Sequence, residues 1–269
     1  MRNEIALLFM MTVGCSNPAF AVRLVGTSPQ VTEWIFQLGK GADLVAVSAM
    51  SDFPDAARSL PRLGPLFAPA IERIILFSPD WVISDGWTDS TSFDRALTAM
   101  KLAQFLVRVT SIHSLFDESL RFLKEVYHSP ENSELAHFRQ CIPKPIPGDH
   151  FSFLAFVWAS PPILFGHSTF LSDLIVHTGG ENVLPPSWTA AFPQVSEEWL
   201  IKQVFSILYF LDDGPESTAT IHKLAEKLWP KKSISFIPLS TSLFARASFT
   251  PLVHSDKVRM GSRQRGCRL

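Results

Sequence analysis

The sequence predicts an α/β protein of two Rossmann-like lobes, each with a central, mostly parallel sheet, joined by a single linker helix. Three observations predict it. Short apolar runs suited to buried parallel strands alternate with amphipathic helical segments along the chain. A loop–helix–turn–strand unit occurs twice, at Leu60–Ile83 (LPRLGPLFAPAIERIILFSPDWVI) and, more weakly, at Phe192–Phe210 (FPQVSEEWLIKQVFSILYF). The 269 residues, 46% hydrophobic and 18% charged, suffice for two lobes of ordinary domain size.

In the first unit a Pro/Gly-rich loop, Pro61 to Pro69, leads into a helix over Ala70–Phe77. Glu72 lies in its first turn, and Ile71, Ile74 and Ile75 form its buried side. Ser78-Pro79-Asp80 stops the helix, and Trp81-Val82-Ile83 follows as a strand. In the second unit Glu198 takes the place of Glu72, and a strand-like run begins about eight residues later.

Taken in order, residues 1–21 read as a secretory signal: Met1-Arg2, an apolar core Ile5–Val13, and Ala19-Phe20-Ala21 as the cleavage site. Its apolar core is too short for a transmembrane anchor; cleavage before Cys15 to give a lipoprotein is the alternative. The address this implies is the periplasm. The first lobe covers 22–127. Its first strand is Arg23–Gly26, followed by a helix capped by Ser28 or Thr32, with Glu33 in the first turn and Gly39 as the stop. Leu44–Val47 is the second strand. The Leu60–Ile83 unit comes next, then helix Phe93–Leu102, strand Phe105–Val109 and helix Ile112–Tyr127.

Residues 128–147 read as the linker helix and its connection, with Ser129 as cap, Pro130 at the first position, and prolines 143, 145 and 147 ending it. The second lobe covers 148–253. Phe151–Trp158 opens it as a strand, Pro161–Gly166 is a rigid loop, and Thr169–His177 is a helix closed by Gly179-Gly180. The second unit follows, then helix Ile221–Leu228, strand Ile234–Ile237 and the loop Ser240–Ser248. Residues 254–269 form a basic, solvated tail.

Ligands of open α/β sheets meet the loops beyond the carboxyl ends of the strands. In the first lobe those loops carry Ser28, Met50, Phe53, Leu66, Phe67, Asp85 and Trp87, enough aromatic and apolar surface for one wall of a large site. Net charge is −1, which argues against a nucleic-acid binder relying on phosphate neutralisation. Twenty prolines and twenty-two phenylalanines fit short loops around an aromatic interior or cleft. Once Cys15 leaves with the signal, Cys141 and Cys267 remain, and an oxidising compartment permits but does not require their pairing.

Six segments carry a family resemblance: RLVGTSPQVTEWIFQLG, LVAVSAMSDFPDAA, LPRLGPLFAPAIERIILFSPDWVI, FLSDLIVHTGGENVL, FPQVSEEWL and IPLSTSLFARAS. In order and spacing they resemble the periplasmic substrate-binding proteins of the vitamin B12, haem and iron–siderophore class, most closely its vitamin B12-binding branch. The resemblance implies two lobes holding cobalamin, another corrinoid or a related metal chelate in the cleft between them, with no resident cofactor. It implies a monomer that delivers this small-molecule cargo to an ABC importer permease at the inner membrane. One surface glutamate per lobe then meets the permease, at Glu72 and Glu198; the plainer reading is that both are ordinary helix-start acids.

The ligand positions implied are Met50, Leu66, Asp85, Ile163, Phe192, Ser242 and Arg246; Phe53, Phe67, Trp87, Phe165 and Phe244, aromatics of the surrounding loops, are further candidates from the reading of those loops. The chain departs from the vitamin B12-binding pattern at Met50, Leu66, Asp85 and Ile163, where aromatics are expected, and at Ser242, where an acid is expected. Phe192 and Arg246 keep it. Haem, a ferric siderophore or a degenerate cleft are the alternatives within the class.

Chemistry finds little support. There is no nucleophile elbow, phosphate-cradling loop or helical His pair. Gly166-His167-Ser168 lacks a placed acid for a triad, so a secreted α/β enzyme is the weaker reading. His167 is a candidate axial ligand of a bound chelate, against the plainer reading of a surface hydrogen-bonder. Asp212-Asp213-Gly214 is too short for a cation loop and reads as a turn.

Overall fold

The computed structural model describes residues 22–64, 71–85, 90–144, 148, 150–259 and 267–269. The signal segment, Leu66, Phe67 and Trp87 lie outside them. Element order is β1 (Leu24–Gly26), α1 (Pro29–Gln37), β2 (Leu44–Val47), α2 (Asp55–Arg58), α3 (Ile71–Leu76), β3 (Trp81–Ser84), α4 (Ser90–Ala99), β4 (Ala103–Leu106), α5 (Ile112–Tyr127) and α6 (Ser133–Arg139). There follow β5 (Phe151–Ala159), β6 (Pro162–Leu164), α7 (Phe170–His177), β7 (Gly180–Asn182), α8 (Glu197–Ile201), β8 (Ile207–Asp212), α9 (Pro215–Leu228), β9 (Ser235–Ser240), α10 (Thr241–Phe244) and α11 (Thr250–Val253).

The two sheets repeat one plan. The first runs β2-β1-β3-β4, all parallel. In the second, the parallel strands run β7-β5-β8-β9, the same order of second, first, third and fourth strand. The one addition is β6, which folds back antiparallel on the far end of β5 through Phe156↔Leu164 and Ala159↔Pro162. Pro161–Gly166, expected as a loop, is therefore partly a strand. Apolar residues on both sides of the turn let it pair with the protruding end of β5.

Alternation along the strands assigns each side chain to a layer. Val25, Ala46 and Val82 face α3 and α4 in a small core of the first lobe. Leu154, Phe156, Leu208 and Phe210 face the α8–α9 side in a core of the second. The opposite faces, with Leu24, Val47 and Ile83 from one sheet and Phe153, Ala155, Ile207 and Tyr209 from the other, belong to one continuous core. Helix α5 supplies its middle with Leu115, Phe116, Phe122 and Leu123.

The sequence places α5 within residue limits that the structure reproduces, because both ends are chemically marked. Ser111 accepts from the Ser114 amide at 3.0 Å, and His128 closes the other end at φ 53°. The helix touches both lobes. Trp34 Nε1 of α1 donates to Ser119 Oγ at 2.9 Å, and the Ile112 amide donates to Asp173 Oδ2 of α7 at 2.7 Å. By contrast the linker helix, expected to start at Ser129-Pro130 and to end before Pro143, is only the seven-residue α6. Asn132 caps it instead of Ser129, accepting from the Leu135 amide at 3.0 Å while donating to the Leu38 carbonyl at 2.7 Å. Asn132 satisfies groups on two elements at once, and α5 takes the bridging role that the sequence gives to the later helix.

Gly39 ends the first helical segment at φ +69°, where any Cβ would also meet Glu134 Oε1 at 2.9 Å. Helix α3 keeps Ile74 buried, but Ile75 is 41% exposed, so the expected inward face is narrower than three isoleucines. A six-residue helix lying on a sheet buries little more than one turn of one stripe.

The basic tail is anchored at both described ends. Val258 and Cys267 are buried, Tyr209 donates its hydroxyl to the Val258 carbonyl at 3.0 Å, and the Arg259 guanidinium lies 4.5 Å from the Phe151 ring centre. Cys141 and Cys267 form a disulfide with Cα atoms 5.4 Å apart, closing the chain across 126 residues. Their distance in sequence conceals that α6 and the chain end meet on one surface. A loop of this length predicts that replacing both cysteines by alanine lowers unfolding stability by about 2–5 kcal/mol, read by urea titration. Dithiothreitol is expected to lower the Tm of the native chain and leave that of the double variant unchanged.

Candidate functional site

The carboxyl ends of β1, β2 and β3 form one rim of a candidate cleft. After β1, Ser28 caps α1 by accepting from the Val31 amide at 3.2 Å and donates its hydroxyl to Asp85, just beyond β3. After β2, Ser51 Oγ lies 2.8 Å from Thr32 Oγ1 and 3.0 Å from Ser48 Oγ. These hydroxyl contacts pin the loop from inside and leave Met50, 62% exposed, at its tip. Asp85 thus replaces an expected aromatic by a hydrogen-bonded acid.

On the second lobe the rim is built by the β5–β6 hairpin and the segment after β9. Phe165 and Phe192 meet edge to face with ring centres 5.8 Å apart, Phe165 buried and Phe192 half-buried beside the half-buried Ile163. Gly166 lets two strands of chain cross closely, since a Cβ there would lie 2.2 Å from the Ala190 carbonyl oxygen. His167 is exposed, and its Nε2 donates to the Leu184 carbonyl at 2.9 Å. That bond commits one ring nitrogen to the backbone. Ser242 Oγ pairs with Ser240 Oγ at 2.8 Å, and Phe244 is buried in the shared core and not displayed in a loop.

The two rims meet at Arg246. Its guanidinium donates from one arm to Glu33 Oε2 of α1 at 3.2 Å and from the other to Asp52 Oδ1 at 2.7 Å. The Glu33 side chain is 1% exposed. Its other oxygen accepts from Ser248 Oγ at 2.6 Å, from Thr250 Oγ1 and from Gln37 Nε2 at 3.2 Å. Gln37 adds two bonds across the same junction, accepting from the Phe249 amide at 3.0 Å and donating to Thr250 Oγ1 at 2.8 Å. The Arg246 hydrogen bond holds the Asp52 carboxyl below its usual value, against a smaller opposing effect of burial.

Sequence reasoning finds Arg246 but misses Glu33, Asp52, Ser248 and Thr250 as its company. Glu33 was expected as a first-turn acid and sits instead in the second turn of α1, facing inward. Its one signal is the flanking pattern, since Val31, Thr32, Trp34 and Ile35 are all buried around it.

Two recesses lie off this rim. One of about 470 Å³ is lined by Trp158, Ser160, Phe210 and Glu216 between the ends of β5 and β8 and helix α9. The other, about 570 Å³, places Phe53 with Phe36, Phe138 and Leu269. Neither contains Asp85, Ile163, Phe192 or Arg246. Phe53 therefore parts from the other candidate ligand residues.

Asp212 Oδ1 accepts from the Gly214 amide at 3.0 Å and from Ser217 and Thr218 Oγ, which lower its pKa and make the Asp-Asp-Gly stretch a turn leading into α9. Among the described residues no group of three or more His, Cys, Asp or Glu is placed to hold a metal ion. Among them, too, no helix is long and apolar enough to cross a membrane.

The lobes also carry an equivalent surface feature. Glu72 stands in the first turn of α3, nine residues before Trp81 at the start of β3, and Glu198 stands in the first turn of α8, nine before Ile207 at the start of β8. Both are exposed. The Glu198 carboxyl lies below its usual range because its own backbone N–H and the Ser196 hydroxyl bond to it. Exposed aliphatics accompany each acid, Ile75 and Leu76 (78%) on α3, Ile201 (51%) and Val204 (80%) beside α8.

No family model matches the chain. It is 28% identical over 235 residues to a vitamin B12-binding protein of Vibrio campbellii, covering 76% of this chain and 77% of that one. It is 27% identical over 255 residues to a vitamin B12-binding protein of Photorhabdus laumondii, covering 90% and 88%. The fold is shared with the periplasmic vitamin B12-binding protein of Vibrio cholerae at TM-score 0.67 and 19% identity, over 88% of this chain and 94% of that one. It is shared too with the periplasmic haem-binding protein of the same organism, at TM-score 0.69 and 16% identity over 88% and 97%. The resemblance seen in the six segments and the two-lobe α/β architecture both hold.

A buried carboxylate stripped of its cation is costly, so Arg246→Ala is expected to destabilise the fold by about 3–5 kcal/mol. Replacing Glu33 by Gln in the same chain recovers most of that loss, as read by urea unfolding. Because the Asp52 pKa is depressed on folding, its contribution is present above its ordinary value of about 3.9 and is lost as pH falls through the lower folded value. Thermal unfolding between about pH 2 and 6 should therefore show a smaller acid loss for Asp52→Asn than for the native chain.

Proposed function

We propose that this protein binds cobalamin, or a related corrinoid or metal chelate, between its two lobes in the periplasm and delivers it to an ABC importer of the inner membrane. The observation that carries this reading is likeness to vitamin B12-binding proteins along nearly the whole chain, in a fold where both lobes turn strand ends toward a common junction. The chain acts by binding and performs no reaction on its cargo. It is exported through cleavage of residues 1–21 and works as a monomer without a resident cofactor, with Cys15 as the attachment point if it is instead a lipoprotein.

Glu72 and Glu198 are the docking points for the permease. An acid in a first helical turn is favoured by the helix dipole and remains exposed. Here each acid sits beside aliphatic side chains left in water, a combination suited to a partner offering both cations and apolar surface. The candidate cargo contacts are Met50, Asp85, Ile163, Phe165, Phe192 and Arg246, together with Leu66, Phe67 and Trp87 on the sequence reading alone. Arg246 and the hydroxyls of Ser240 and Ser242 make this rim more polar than an aromatic-walled one, which also favours haem, whose carboxylates want such donors.

Calorimetry of the purified mature chain tests the reading with cyanocobalamin and haemin as titrants. Saturable one-to-one heat with cyanocobalamin is expected; haemin alone giving heat moves the cargo to haem, and flat traces for both overturn the proposal. Glu72→Ala with Glu198→Ala is expected to leave cargo affinity unchanged while slowing capture by importer-containing membranes about tenfold, as added salt also does.

A further inference from the structure

We infer that Asp52 is an internal stand-in for an anionic group on the cargo, which binds by taking over the outer arm of Arg246. This rests on the cargo-binding reading above and adds a chemical class to it: the chelate must bring a phosphate diester or a carboxylate. The two arms of Arg246 differ in kind. The inner one meets Glu33, whose carboxylate is 1% exposed and held by Ser248, Thr250 and Gln37, so it is fixed. The outer one meets Asp52, whose side chain is 66% exposed at the mouth of the junction, on the loop that also carries Met50.

An exposed ion pair contributes little, so exchanging one anion for another there costs little. A guanidinium whose orientation is already fixed by a buried partner is suited to receive a two-oxygen group in its plane. The inner bond keeps that plane in place whether or not the outer one is occupied by Asp52. Charge balance points the same way. Arg246 answers two acids of the first lobe, and only the Asp52 carboxylate is free to turn into water when another anion arrives. A neutral chelate offers nothing in exchange and leaves the Asp52–Arg246 bond intact. Asp52 therefore sets both the affinity and the choice of cargo without itself touching it.

The experiment compares the native chain with Asp52→Asn by calorimetry, using cyanocobalamin, haemin, and dicyanocobinamide, which keeps the corrin ring and lacks the phosphate. Removing the competing charge is expected to tighten the anion-bearing ligand that binds by about two- to fivefold, the range that an exposed ion pair allows, and to leave dicyanocobinamide unchanged. Equal changes for ligands with and without the anion, or weaker binding of the anionic one, overturn the inference. If the native chain binds none of the three, the proposed function falls and this inference with it; where one binds, amide hydrogen exchange of the unliganded chain is a second test. Faster exchange in the variant at both Ser51–Phe53 and Ala245–Ala247 supports Asp52 as the occupant of Arg246; unchanged exchange at either place overturns it.

Discussion

A single buried carboxylate sets the terms on which the two ends of this chain meet. Glu33 lies on the inner face of α1, surrounded by residues of an apolar core, and a charge in that position is tolerated only with a cation and further donors. Arg246, Ser248 and Thr250 supply most of them, from more than two hundred residues away. Helix α1 itself reaches these oxygens through Gln37 Nε2 at 3.2 Å, and the remaining donors come from the distant segment. The segment after β9 therefore has one acceptable position on the first lobe, and the loops on either side of the junction are placed with it.

That electrostatic demand works alongside a division of hydrophobic layers. Each sheet gives its outer face to helices of its own lobe and its inner face to a core that both lobes share. Helix α5 runs through this core, tied to α1 by the Trp34–Ser119 bond and to α7 by Asp173. Opening the lobes widely would have to expose Phe116, Phe138 and Phe249, which pack ring against ring across the two halves. Burial of aromatic surface on that scale resists wide hinging of one lobe upon the other.

The parts that could be read from the sequence are those whose signals are local. Ser28 announces a helix and caps one, and the apolar runs at Leu44, Trp81 and Phe151 are parallel strands as their composition suggests. The parts that could not be read depend on contacts between distant segments. Nothing near Cys267 says that Cys141 is its neighbour, and nothing in the basic tail says that Val258 is fully buried. The same holds for the candidate site. Arg246 could be named from resemblance, but its division between a fixed acid and an exposed one is a property of three segments brought together. Phe244 and Phe53, plausible as cleft aromatics in a loop, are drawn into a core and a separate recess.

The failure at Ile75 is of another sort, because there the local rule was sound. An amphipathic helix ordinarily turns such a residue inward, yet α3 leaves Ile75 and Leu76 in water beside Glu72. One such lapse would be a short helix with too little sheet to cover. The second lobe repeats it, with Ile201 and Val204 exposed near Glu198 at the corresponding point before its third strand. Short helices explain some exposure in each lobe, but the two share no sequence that would set it beside an acid twice. What they do share is a place in a common plan, and residues kept against the interests of folding at equivalent places are best explained by a partner that meets both. The acids alone are compatible with ordinary helix starts; the acids together with their unburied neighbours are what favour a docking surface.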